Sequence, residues 1–171
     1  MDAVELARYL VGKVVVHDVA AGRLSGRIVE TEAYPIGDQA GHAYRGRTAR
    51  NRSLFLTRGH AYVYLVYGSS FMLTVTSEVR GVGGGVLLRA LEPLGGIDLM
   101  QRSHAATRLT DLARGPGRLA EAMQIDLETR WPRFVRRRST LSRGDSAESR
   151  RHRQEYPHWP DPQHRSTVAV L

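Results

Sequence analysis

Arg27-Ile-Val-Glu-Thr-Glu-Ala-Tyr34 is the stretch on which the fold turns: an apolar, β-branched run that ends in two carboxylates and a tyrosine before the chain turns. Side chains of a strand alternate between faces, so Ile28, Glu30, Glu32 and Tyr34 are expected on one surface and Arg27, Val29, Thr31 and Ala33 on the other. An acid and an aromatic ring then share a strand end, a placement suited to chemistry. Downstream stand His42 and Arg45, Arg47, Arg50, Arg52 and Arg58, in an interval, 39–77, that holds no Asp or Glu. The loop is basic beside a candidate active site.

Working outward, Val14 to His17 reads as a second strand, joined to Gly26–Tyr34 by a turn around Ala21-Gly22. Glu5 to Val11 predicts a short helix with Val4, Leu6, Tyr9 and Leu10 as its inner contacts and Gly12 as its stop. Ala61 to Tyr67 and Phe71 to Thr76 are rich in Tyr, Val and Thr and flank Gly68-Ser69-Ser70, the pattern of a hairpin. The glycines of 81–85 lack the Lys and following helix of a phosphate loop, so they read as a turn leading into a strand, Val86 to Leu91. Pro93 to Gly96 breaks the pattern, Ile97 to Ser103 suggests a helix, and Gly115-Pro116-Gly117 opens another through Met123. The predicted class is α+β: a single domain over 1–127 with an antiparallel, partly open barrel-like sheet flanked by helices. Residues 128–171 read as a divergent basic tail, expected to be poorly ordered.

At 171 residues and 42% hydrophobic composition the chain is long enough to bury a real core. It has no cysteine, which excludes a disulfide framework and a thiolate zinc site. His152, His158 and His164 are evenly spaced but have no partner pattern for a metal, and no metal or cofactor is expected. Acidic residues near Met1 and the lack of any apolar run of about 20 residues point to a cytoplasmic protein without membrane contact. The net charge of +8 is uneven. Residues 1–129 carry 15 basic and 13 acidic groups and 130–171 carry 10 and 4, so most of the excess lies in the tail, where the reading as a solvated run competes with that of a second DNA-contacting arm.

Taken singly, the candidate residues have bland readings: Glu32 as a surface carboxylate, His42 as a capping histidine, Tyr62, Tyr64 and Tyr67 as ordinary strand residues. Strict alternation in Val86-Leu-Leu-Arg-Ala-Leu91 changes the balance, because it places Arg89 with Leu87 and Leu91 on an apolar surface where a guanidinium needs an anion. Glu32 or Glu30 is the natural partner. A carboxylate so held orients a water as a general base, although a structural ion pair has the same signature. Tyr67, beside a Gly-Ser-Ser turn, is placed to wedge into a base stack.

Together with the first stretch, Gly41-His42, Arg50-Asn-Arg52, Tyr62-Val-Tyr-Leu-Val-Tyr-Gly68, Leu87-Leu-Arg-Ala-Leu-Glu-Pro93 and Gly115-Pro-Gly-Arg-Leu119 resemble the 3-methyladenine (alkyladenine) DNA glycosylases in order and spacing, over about residues 3–126. The resemblance implies a monofunctional, metal-free hydrolase, a monomer acting on double-stranded DNA, that flips out a damaged purine and hydrolyses its N-glycosidic bond. It further implies Glu32 as the base that activates water and Arg89 as the arginine that holds that site together. Tyr34 and Tyr64 match the rings that sandwich the base, His42 its edge contact, and Tyr67 the residue that fills the gap in the duplex. Arg45, Arg47, Arg50, Arg52 and Arg58 then serve phosphates.

Two departures stand out. Thr74 occupies the place of the family's usual Asn, which crowds the 2-amino group of guanine, and the family's C-terminal portion is not traceable beyond about Asp126. A non-catalytic DNA-binding or damage-recognition protein of the same fold is therefore the alternative. A basic RNA-binding module is a third reading, against which the ordered set of Glu32, His42 and Arg89 argues.

Overall fold

The first strands pair as the β-branched runs predict, and a computed structural model describes residues 1–103, 108–128 and 167–170. Helix α1 (Ala3–Leu10) leads into β1 (Val14–Val19) and β2 (Gly22–Tyr34). A long loop containing a 3-10 turn, Arg52–Phe55, leads to β3 (Ala61–Val66), β4 (Ser70–Thr76) and β5 (Gly85–Gly95). Then come α2 (Ile97–Ser103), a 3-10 turn at Leu109–Asp111, α3 (Pro116–Ala122) and β6 (Thr167–Val170). Every pairing is antiparallel and the order across the sheet is β3-β4-β5-β2-β1-β6. The class is α+β, a single domain in which the first five strands curl into a half-barrel with helices packed against it. Among the described residues no helix is long and apolar enough to cross a membrane.

Helix α1 starts with reciprocal caps: the Asp2 carboxylate accepts from the Glu5 N–H at 2.9 Å and Glu5 accepts from the Asp2 N–H at 3.0 Å. Its buried face is Ala3, Leu6, Ala7 and Leu10, one helical stripe. Val4 and Tyr9, expected inside, are 42% and 44% exposed. Small alanines hold that face because they let the helix lie close enough for Thr31 Oγ1 to donate to the Ala7 carbonyl at 3.1 Å. The core beneath the sheet joins Leu6 and Leu10 to Ile28, Val75, Val86, Leu88 and Leu91 and to Met100, Leu119 and Met123.

Two β-bulges decide what each face of the sheet presents. Pairing of β2 with β5 runs Glu32↔Leu87 and Thr31↔Leu88, then jumps to Glu30↔Ala90 and Ile28↔Leu91, leaving Arg89 and Val29 each as an extra residue. The expected alternation is thereby corrected: Ile28 turns into the core, fully buried, while Glu30 and Glu32 remain on the opposite face. Arg89 shares that face with Leu87 but not with Leu91, and its side chain is 38% exposed, not sunk among apolar groups. Other boundaries shift less. The β1–β2 turn is Ala20-Ala21, since Val19 pairs with Gly22, and β5 runs on through Pro93, which sits at a third register shift where a proline is tolerated.

Most of the segment read as a divergent tail, with His152, His158 and His164, lies outside the described residues. Within it, β6 pairs with the edge of β1 from Val15↔Val170 to Asp18↔Thr167.

Candidate active site

The face opposite the core carries a row of directly opposed residues across four strands: Tyr62, Thr74, Leu87 and Glu32. Opposed residues share a face, so pairing alone aligns the aromatic, hydroxyl and carboxylate groups. Tyr34 follows Glu32 by two residues and stays on that face; its hydroxyl donates to Glu32 Oε1 at 2.7 Å. Arg89 Nη1 donates to Oε2 at 2.8 Å, and Arg89 Nε lies 3.5 Å from Glu30. The Arg89 bulge is what brings one guanidinium between two carboxylates. With one donor on each oxygen the Glu32 carboxylate is fixed in orientation and keeps further lone pairs to accept from water.

Tyr34 also lines a pocket with His42, Tyr62, Tyr64, Thr74 and the glycines 83–85. Tyr62 and Tyr64 stack at 4.8 Å between centroids, and the His42 ring meets Tyr64 edge-on at 4.4 Å. His42 Nδ1 and the Tyr62 hydroxyl are hydrogen-bonded at 3.0 Å. Burial pushes the Tyr62 phenol up to about 12 and, with the bond to Glu32, raises that of Tyr34 as well. Burial likewise raises the Tyr64 phenol, against a bond from Thr74. The three rings are therefore neutral at ordinary pH. Burial, then the Arg50 charge, lowers the His42 pKa, favouring the neutral imidazole.

Sequence reasoning passed over three parts of this site. Tyr62 has the same composition signal as any strand tyrosine, yet it carries His42. Of the glycines in 81–85, read as a turn only, those at 83–85 form a pocket wall: a Cβ at Gly83 would lie 2.5 Å from Ala43 Cβ, and one at Gly85 2.6 Å from Thr74 Cγ2. Asn51, buried in the Arg50-Asn-Arg52 motif, holds the loop together by donating to the carbonyls of His42 at 2.8 Å and Gly46 at 2.9 Å and accepting from the Thr48 N–H at 2.6 Å. An asparagine flanked by arginines was the only signal of that role.

Tyr67 stands at the tip of the β3–β4 hairpin, 92% exposed and at φ 53°. A bulky residue in the left-handed region is disfavoured, so an aromatic held there and in water is a functional candidate. Arg45, Arg47, Arg50 and Arg52 are exposed on the loop. Arg50 donates to the Leu65 carbonyl at 2.9 Å, tying the loop to the hairpin near Tyr67. Arg58 is set apart: it is part-buried and its Nε donates to the Ser77 carbonyl, within the frame of the sheet.

The sequence profile of the family described as methylpurine-DNA glycosylase matches residues 1–155. A relative from Mesorhizobium japonicum is 67% identical over 125 residues, which is 73% of this chain and 60% of that protein. One from Paraburkholderia phytofirmans is 55% identical over 125 residues, 73% of this chain and 59% of its own. One from Chlorobium phaeobacteroides is 48% identical over 124 residues, 71% and 62% of the two. Each bears the name 3-methyladenine DNA glycosylase as a provisional assignment, and the chain spans about three fifths of the length of these curated relatives. With nine tenths of its residues inside the profile and the motif residues gathered on one face of the sheet, this chain belongs to the methylpurine-DNA glycosylase family.

Proposed function

We propose that the chain is a DNA repair glycosylase that flips an alkylated or deaminated purine, of the 3-methyladenine, hypoxanthine and ethenoadenine class, out of double-stranded DNA and hydrolyses its N-glycosidic bond. The observation that carries this reading is the Glu32 carboxylate, clasped by Tyr34 and Arg89 at the end of an aromatic pocket. In the reaction Glu32 takes a proton from a bound water. The water oxygen bonds to C1′ of the deoxyribose, the bond from C1′ to the purine nitrogen breaks, and its electron pair leaves with the base. Arg89 and Tyr34 keep the carboxylate aimed. The base lies between Tyr34 and Tyr64 with His42 at its edge, and an electron-poor alkylated purine is attracted to these neutral, electron-rich rings. Extrusion costs a few kcal/mol, least for damaged or mispaired bases, and roughly 1 to 3 kcal/mol of stacking per base offsets it. Tyr67 fills the vacated place and the arginines 45–52 meet phosphates, which position the protein without reading sequence.

The test is single-turnover excision from duplexes carrying one hypoxanthine, ethenoadenine or 3-methyladenine, read as strand cleavage after alkali. The expected result is cleavage at the lesion that Glu32→Gln reduces by about 10² to 10⁴ while duplex binding persists. Specific binding to lesion duplexes without excision would establish the damage-recognition reading instead, and an active Glu32→Gln variant would move the base role to Glu30.

A further inference from the structure

Beyond the pocket, the same face of the sheet carries a cation to which the reading above gives no role. Strands β4 and β5 pair only from Thr74↔Leu87 to Thr76↔Gly85 and then part. Residues 112–117 enter beside the freed edge: the Leu91 N–H donates to the Ala113 carbonyl at 3.1 Å and Arg114 forms an antiparallel bridge with Ala90. Because opposed residues share a face, Arg114, Ala90 and Glu30 form a row adjacent to that of Thr74, Leu87 and Glu32. At its other end the segment reaches the hairpin, where a Cβ added at Gly117 would meet Ser70 at 3.2 Å. Ser70 is paired with Val66, the residue before Tyr67. The stretch 114–118 therefore runs from the row that ends in Glu30, next to that of Glu32, toward the hairpin.

Its cations are available. The Arg114 side chain is 79% exposed and its acidic neighbour, Asp111, lies 3.9 Å away, a long surface pair worth little in water. Arg118 is also exposed. For a nucleotide turned out of the duplex, with Tyr67 in its place and its C1′ over Glu32, this stretch would lie on the path of the flanking sugar–phosphate chain.

We propose that Arg114, with Arg118, is the seat for the phosphates flanking the flipped nucleotide, on the side of Tyr67 away from the arginine loop; this rests on the glycosylase reading. The experiment is the salt dependence of binding to a duplex with one tetrahydrofuran abasic analogue, from about 50 to about 200 mM NaCl, where each phosphate contact contributes about 0.9 to the slope of log K against log salt. Arg114→Gln is expected to reduce the slope by about 0.9 and the Arg114→Gln/Arg118→Gln pair by about 1.8, so that the single variant's deficit narrows about threefold over that range. Arg114→Lys, which keeps the charge, should hold the wild-type slope. Arg8→Gln, on α1 across the sheet, should leave it unchanged. An unchanged slope in both Gln variants, or a slope lost equally in Arg114→Lys, overturns the seat while wild type still binds and excises. A wild-type protein that neither binds nor excises lesions overturns the glycosylase reading itself.

Discussion

Asn51→Ala separates the wall of the pocket from its chemistry, because Asn51 touches no reacting group in the proposed mechanism yet holds the loop that carries His42. Its amide makes three hydrogen bonds to that loop, to the His42 and Gly46 carbonyls and from the Thr48 N–H, and the residue is only 5% exposed. A neutral hydrogen bond contributes about 0.5 to 1.5 kcal/mol net, so the three bound the loss at about 1.5 to 4.5 kcal/mol. Thr48 lies exposed on the loop and its N–H regains water, which places the cost toward the lower end, about 2 kcal/mol. For a chain of this length that corresponds to a fall in Tm of about 4 to 8 °C, read by thermal unfolding. Release of His42 from its contacts with Tyr62 and Tyr64 should also slow single-turnover excision of hypoxanthine by about 10- to 100-fold, the scale of a misplaced positioning group. Asn51→Asp, nearly the same shape, turns an oxygen toward two carbonyls where an N–H₂ had been and should be at least as damaging. Wild-type Tm and rate in Asn51→Ala would refute the reasoning and show that the loop is held by Thr48 and the 3-10 turn alone.

Tyr67→Ala should weaken capture of a flipped base in duplex by roughly 1 to 3 kcal/mol, one lost aromatic stack, while single-stranded or unpaired lesions are cleaved with a smaller loss; equal losses on both would place Tyr67 outside the duplex contact. Thr74 is buried against Gly85 and bonded to Tyr64, and as the smaller residue at this position it should admit 2-amino purines. Thr74→Asn is therefore expected to raise the ratio of single-turnover rates for hypoxanthine over alkylguanine duplexes, and an unchanged ratio would remove position 74 from base selection. His17 is buried in β1 with Nδ1 against the Met123 carbonyl, and burial lowers its pKa in spite of that carbonyl and of Asp18 and Asp126. A folded-state pKa below the unfolded value near 6.5 contributes stability that is present above about pH 6.5 and is lost as pH falls through the lowered value. Tm should thus hold above about pH 7 and decline in acid; His42 shifts the same way, so the contribution is assigned by a flatter acid limb in His17→Gln, which an unaltered limb would contradict.

The sequence by itself carried the first five strands, the two hairpins, the α+β class and the family motifs, because β-branched and aromatic runs, turn glycines and a proline at the first helical position are local signals that tertiary packing here did not override; β6, inside the segment read as a poorly ordered tail, it did not show. It also carried Glu32, Arg89, Tyr34 and His42 as a set, through motif order. What each face of β2 and β5 presents was beyond it. Counting by twos fails at the first inserted residue, and the bulges at Val29 and Arg89 arise from how two strands fit each other across the sheet. Those bulges turn Ile28 into the core and set Arg89 between Glu30 and Glu32. The small-residue face of α1 was hidden for a related reason: Ala3 and Ala7 are inside because the helix must come close to Thr31, a distance that no pattern within the helix specifies. The work of Tyr62, Asn51 and the glycines at 83–85 is likewise defined by residues far along the chain, His42, Gly46, Ala43 and Thr74, and so is decided only when the sheet and loop close on one another.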